Sequence, residues 1–140
     1  MEFLKASLDY LIFGTLGLMS VLMVGFAVER WLYLRQVDLS RFRHADELNI
    51  ALTRHLTALH TVGANAPYVG LLGTVLGILI TFHDLSQSPT LESGAIMLGL
   101  ALALKATAAG LAVAIPAIVL YNAILRRVDE LTAQWRQQHA

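Results

Sequence analysis

The chain has 140 residues, 56% of them hydrophobic and only 14% charged, with a mean hydropathy of +0.62 and a formal net charge of zero. Water-soluble domains carry about a quarter charged residues and rarely expose large apolar patches, so lipid is the expected solvent for much of this chain. Ten basic against ten acidic residues leave no footprint for nucleic acid, and the lack of cysteine excludes a disulfide scaffold, a thiolate metal site and a cysteine nucleophile.

The size, 15.3 kDa, points to one domain, 1–140. Residues 10–28, between Asp9 and Glu29, carry no charge. As a helix they rise about 28 Å, enough for a bilayer core of roughly 30 Å. They read as a retained span and not a cleaved leader, because Glu2 and Asp9 outweigh Lys5 and the run exceeds the roughly 7–15 apolar residues of a signal peptide. In the following segment, 29–63, Leu48, Leu52, Leu56 and Leu59 recur at helical spacing, and Asp46 with Glu47 suits a helix N-terminus. This helix is expected to continue unbroken into a second span over about 64–83, with a kink at Pro67. Ser86 to Thr90 form a turn, and a third span covers about 95–125, interrupted by one charge at Lys105. At about 1.5 Å per residue this last stretch overshoots the bilayer or tilts, and the tail 126–140 continues it.

Basic residues fix the expected orientation. Arg30, Arg35, Arg41, Arg43 and Arg54 follow span one, and Arg126, Arg127 and Arg136 follow span three, eight of the ten basic residues on one side. That side is cytoplasmic, so the N-terminus lies outside with Lys5. Trp31, Tyr33 and Tyr121 sit near span ends, as interfacial aromatics do. The reading is an all-α polytopic membrane protein, N-out and C-in, with spans two and three extended into the cytoplasm.

Span two holds a GxxxG, Gly73 to Gly77, and a small surface of Gly70, Gly73, Thr74 and Gly77. In span three, Gly99, Ala103 and Thr107 recur every four residues, as do Ala106, Gly110 and Ala114. Small residues let transmembrane helices approach closely. Gly70, Gly73, Gly77 and Gly110, with Pro67 and Pro116, are the expected packing residues. Span three is small on nearly every face, which points to contact with copies of itself in a homo-oligomer, while span one faces lipid.

Three polar groups stand out: Thr74, Thr107 and Lys105. Each threonine could simply bond back to the carbonyl one turn earlier. Lys105 has two readings, a functional charge at membrane depth or a side chain snorkelling from a span that begins at residue 106. It stands about 160° around the helix from Thr107, so the two line different stripes; Thr107 shares its face with Leu100, Ala103, Leu111 and Ala114. No Asp or Glu falls inside a span, so a moved proton needs a carboxylate from a partner. His44, His55, His60, His83 and His139 have no ligand spacing, there is no P-loop, and no enzyme or cofactor is expected.

Span two, APYVGLLGTVLGILITF (66–82), resembles the signature of the ExbB/TolQ/MotA family of ion-driven motor proteins. Span three, with Ala106-Thr-Ala-x-Gly-Leu-x-x-Ala-Ile-Pro116 and Tyr121-Asn122, resembles the ExbB branch, and Glu29-Arg30 after span one fits it. The resemblance implies a ring, usually a pentamer, in the Gram-negative inner membrane. Spans two and three would line its pore around the single helices of ExbD, whose aspartate carries the proton. Proton flow would act on TonB and so drive uptake through the outer membrane. It assigns the pore threonines to Thr74 and Thr107. The sequence departs where many members carry a glutamate, here Leu102, and Lys105 offers a charge that could offset an acidic neighbour. A TolQ-like role in envelope integrity, and a passive scaffold or small channel of three-helix subunits, stand as alternatives.

Overall fold

In lipid each backbone N–H and C=O must be satisfied within its own segment, so apolar runs of this length become helices. The computed structural model describes residues 2–139, which form four α-helices and no strand. These are α1 (Glu2–Gln36), α2 (Ala45–Leu52), α3 (Leu56–Gln87) and α4 (Ser93–Gln138), with a 3-10 turn at Leu39–Arg41. Three of them, α1, α3 and α4, are long and apolar enough to cross a membrane. The protein is therefore a multi-pass membrane protein of the all-α class. All three outrun the expected spans; α4 alone has 46 residues, about 69 Å at the usual rise.

Two apolar clusters follow from that excess length. Ile12 and Leu16 of α1 meet Ala66 of α3 and Ala106 and Ala114 of α4. Beyond this, the end of α1, all of α2, the start of α3 and the end of α4 enclose a second core, including Leu34, Leu48, Leu59, Ile124 and Leu131. The indole N–H of Trp135 donates to the Phe42 carbonyl at 2.9 Å, tying the tail of α4 to the loop before α2. Within that loop Asp38 caps the 3-10 turn, and the Ser40 hydroxyl and amide hydrogen bonds it accepts hold its carboxyl below the usual range.

The unbroken helix expected from residue 45 into span two is not formed. The chain turns at Thr53–His55, and His55 adopts a left-handed φ of 68°. The cause lies on α1. Arg30, 2% exposed, donates to the Ala51 carbonyl at 2.7 Å and the Leu52 carbonyl at 3.3 Å, supplying partners for carbonyls that the end of α2 leaves open. Its other nitrogens bond both carboxylate oxygens of Glu29 at 2.6 Å, and the guanidinium lies over the Tyr33 ring. His55 stacks on Phe26 of α1, with centroids 4.6 Å apart. The helical spacing of Leu48, Leu52, Leu56 and Leu59 is real, but those leucines belong to two helices aimed into one core. α3 stays helical through Pro67, whose missing N–H leaves the Gly63 carbonyl without its helical partner.

Candidate functional site

The α3–α4 pair is the most extensive helix contact in the fold, and its chemistry starts from missing side chains. A Cβ on Gly70 would lie 2.6 Å from the Ala106 carbonyl oxygen and 3.0 Å from the Gly110 Cα. Reciprocally, a Cβ on Gly110 would lie 2.6 Å from the Ala66 carbonyl oxygen. Ala66-x-x-x-Gly70 and Ala106-x-x-x-Gly110 therefore face each other backbone to backbone, the close approach that drives helix association in lipid. The seam continues through Gly73 against Ala106 and Ile12, and Gly77 against Ala103.

That proximity brings Thr74 and Thr107 together. Thr74 is buried, and its hydroxyl donates across the seam to the Ala103 carbonyl at 2.8 Å. The two threonine hydroxyls also hydrogen-bond each other. Thr74 lies 3.3 Å from the Gly70 carbonyl one turn back, so the plain intrahelical bond is the longer of its two carbonyl contacts. Because Thr74 gives its proton to Ala103, Thr107 serves as donor in the hydroxyl pair. Every buried side-chain polar atom among the described residues has a partner. No acidic or basic side chain lies in this part of the seam.

The remaining expected residues fall elsewhere. Lys105 is exposed on the outward side of α4 and makes no ion pair among the described residues, while Thr107 is half-buried toward α3. Lys105 lies two residues before Thr107 on α4, so its Cα is about 3 Å along the helix axis from that of Thr107. Pro67 is half-buried beside the seam. Pro116 is exposed, and so leaves the set of α3–α4 packing residues: Ala114 and Ala117 on either side of it turn inward, which directs it out.

Several residues of the site were not singled out in the sequence. Thr81 donates to the Gly77 carbonyl at 3.0 Å and packs against Gly99, where a Cβ would lie 2.6 Å from its hydroxyl. Gly63 packs on Ile118 in the same manner. The spacing 63, 66, 70, 73, 77 and 81 extends the small-residue stripe by about three turns and was the available signal. Lys5 pairs with Asp84 at 2.9 Å, joining the start of α1 to the end of α3. Beneath this pair is a cavity of about 80 Å³ between α1, α3 and α4, lined by Asp9, Thr81, Leu102 and Ala103 among others. No sequence spacing announces a void formed by three separate helices.

The sequence of this chain has known relatives. A family model described as the MotA/TolQ/ExbB proton channel family matches residues 33–137. The chain belongs to this family. A Helicobacter pylori protein named biopolymer transport protein ExbB is 48% identical over 136 residues, 97% of this chain and 94% of that protein. Its Aquifex aeolicus namesake is 47% identical over 139 residues, 99% of this chain and 94% of that protein. A longer Salmonella typhimurium protein of the same name matches over 75 residues at 45% identity, 54% of this chain but only 31% of that protein. The likeness to the compact members thus runs end to end, while the likeness to the longer one covers a single stretch.

Proposed function

We propose that this protein is an energiser subunit of the ExbB type, acting without enzymatic chemistry in the inner membrane of a Gram-negative bacterium. It couples the proton-motive force, together with an ExbD-like one-span partner, to TonB-dependent transport across the outer membrane. The names carried by its near-full-length relatives support this role. The observation that carries it is the Thr74–Thr107 hydroxyl pair, a polar rung in a seam with no carboxylate of its own. Such a rung can exchange protons but not store one, which leaves the storing carboxylate to the partner's helix.

The chain assembles as a homo-oligomeric ring, a pentamer by family resemblance, N-terminus out and C-terminus in. In support, large apolar side chains such as Leu71, Leu72, Leu104 and Ile115 stay about half uncovered in a single copy. Lys105, two residues before Thr107 on α4, offsets acidic charge from the partner or a neighbouring copy. One charge crossing 100 mV releases about 2.3 kcal/mol, so successive protons suffice for mechanical work.

Thr107→Val tests the reading. It should leave the complex with its one-span partner intact and abolish energised uptake of an iron chelate; unchanged uptake overturns it. Lys105→Met should assemble and impair uptake. Deleting the protein and comparing chelate uptake with detergent sensitivity separates this role from a TolQ-like one, and absence of any co-purifying one-span partner with an intramembrane aspartate would favour a passive scaffold.

A further inference from the structure

We infer that the cavity between α1, α3 and α4 is a water-filled proton inlet inside each subunit, with Asp9 as its proton-collecting group. This inference rests on the energiser reading above and deepens it. The cavity's volume, about 80 Å³, gives room for about two or three waters at the roughly 30 Å³ each takes up in the liquid. Its partners are polar at one end: the Asp9 carboxylate, the Lys5 ammonium and the Thr81 hydroxyl all line it. The Lys5–Asp84 ion pair sits at that same end.

The other end is walled by Gly73, Ala103 and Ala106. Gly73 precedes Thr74, and Ala103 supplies the carbonyl that accepts the Thr74 hydroxyl. The cavity thus runs from the charged rim of the helix bundle to residues that adjoin the threonine pair in sequence or by hydrogen bond, while neither threonine itself lines it. Glycine cannot be traded for filler here, because a Cβ at Gly73 or Gly77 would already meet Ala106 or Ala103 within 3 Å. The opening is bounded instead by α1, whose Leu8 and Ile12 face it.

Among the described residues lining the cavity, Asp9 is the sole carboxylate. The charged groups nearest it are Lys5, one turn earlier on α1, and Asp84 on α3; α4 contributes none. Lys5 is engaged by Asp84, which leaves Asp9 outside any ion pair among the described residues. A proton taken up on an Asp9 oxygen passes to a cavity water, which releases a different proton inward. The proton is thereby delivered along the cavity to its wall at Gly73, Ala103 and Ala106. Only O–H bonds form and break, and one charge advances.

The cysteine-free chain makes the test direct. Single-cysteine variants Ile12→Cys and Thr81→Cys, at buried positions of the cavity wall, are compared with Leu11→Cys, which points away into the surroundings. The full complex in membranes is exposed to Ag⁺ in water, then denatured, and free thiols are counted. Because only the hydrated thiolate reacts, the cavity cysteines should be captured at least about 100-fold faster than Leu11→Cys. Equal, slow capture at both cavity positions means a dry cavity and overturns the inference. This readout is independent of transport, so it can fail while the energiser reading stands. In the second arm, Asp9→Asn should lower energised uptake about tenfold or more, and Asp9→Asn with Leu102→Glu, which returns a carboxylate from the opposite wall, should restore much of it. Full uptake by Asp9→Asn, in a background where Thr107→Val abolishes it, overturns the inlet role alone.

Discussion

Alanine at Gly70 should separate close packing from mere apolarity. The added Cβ would sit 2.6 Å from the Ala106 carbonyl oxygen, against the 3.4–4 Å of ordinary contact. Both colliding partners are backbone, so no side chain can swing aside, and the helices must part by roughly 0.8 Å there. One turn along, the same displacement stretches the 2.8 Å bond from Thr74 to Ala103 to about 3.6 Å, outside hydrogen-bonding range. Overpacking costs about 1–3 kcal/mol, and an interhelical hydrogen bond in a membrane contributes about 0.6 kcal/mol more. Gly70→Ala should therefore lose about 2–3 kcal/mol in reversible unfolding by detergent, followed by the fluorescence of Trp31 and Trp135. Gly17→Ala is the control: its Cβ would meet nothing within 4 Å, and the helix gains about 0.5–1 kcal/mol from the loss of glycine. If the two variants unfold within about 1 kcal/mol of each other, the backbone seam is not what holds α3 to α4.

Other perturbations probe the core around α2 at one end of the bundle. Arg30→Met should strand the Ala51 and Leu52 carbonyls, at about 1–3 kcal/mol for each buried group left unpartnered, and hydrogen exchange at the end of α2 should accelerate. Arg30→Lys should recover little of this, because one ammonium cannot hold the Glu29 fork and the α2 carbonyls together. His55→Val should destabilise more than His55→Asn by about 1–2 kcal/mol in the same unfolding assay, since both lose the stack on Phe26 but only the β-branched residue resists φ of 68°. Trp135→Phe removes the bond to the Phe42 carbonyl and should cost about 0.5–1.5 kcal/mol, read as faster proteolysis of the tail with the spans unaffected.

The helices and their approximate places were legible because lipid forces every apolar run of this length into one state. The seam was legible for a related reason: Gly70, Gly73, Gly77 and Gly110 recur at helical spacing, and the stripe they form has no other use as strong as close packing. The pairing of Thr74 with Thr107 followed once those stripes met, although sequence left open whether each hydroxyl bonded across or back along its own helix. Pro116 takes no part in the α3–α4 contact, because Ala114 and Ala117 on either side of it hold the inward positions and direct it outward.

Periodicity by itself determined that this is a three-span helical protein with a small-residue face on span two and small residues on nearly every face of span three. Local pattern repeats along a single helix, and a period records it fully. What the tertiary structure alone decided involves groups from separate helices. The break at Thr53–His55 depends on Arg30 reaching from α1 to the end of α2. The ion pair of Lys5 with Asp84 and the cavity below it depend on where α1 crosses the α3–α4 pair. The charge count, zero overall and sparse in the spans, could show that a carboxylate was missing from the seam; only the packing of α1 brought Asp9 to its edge.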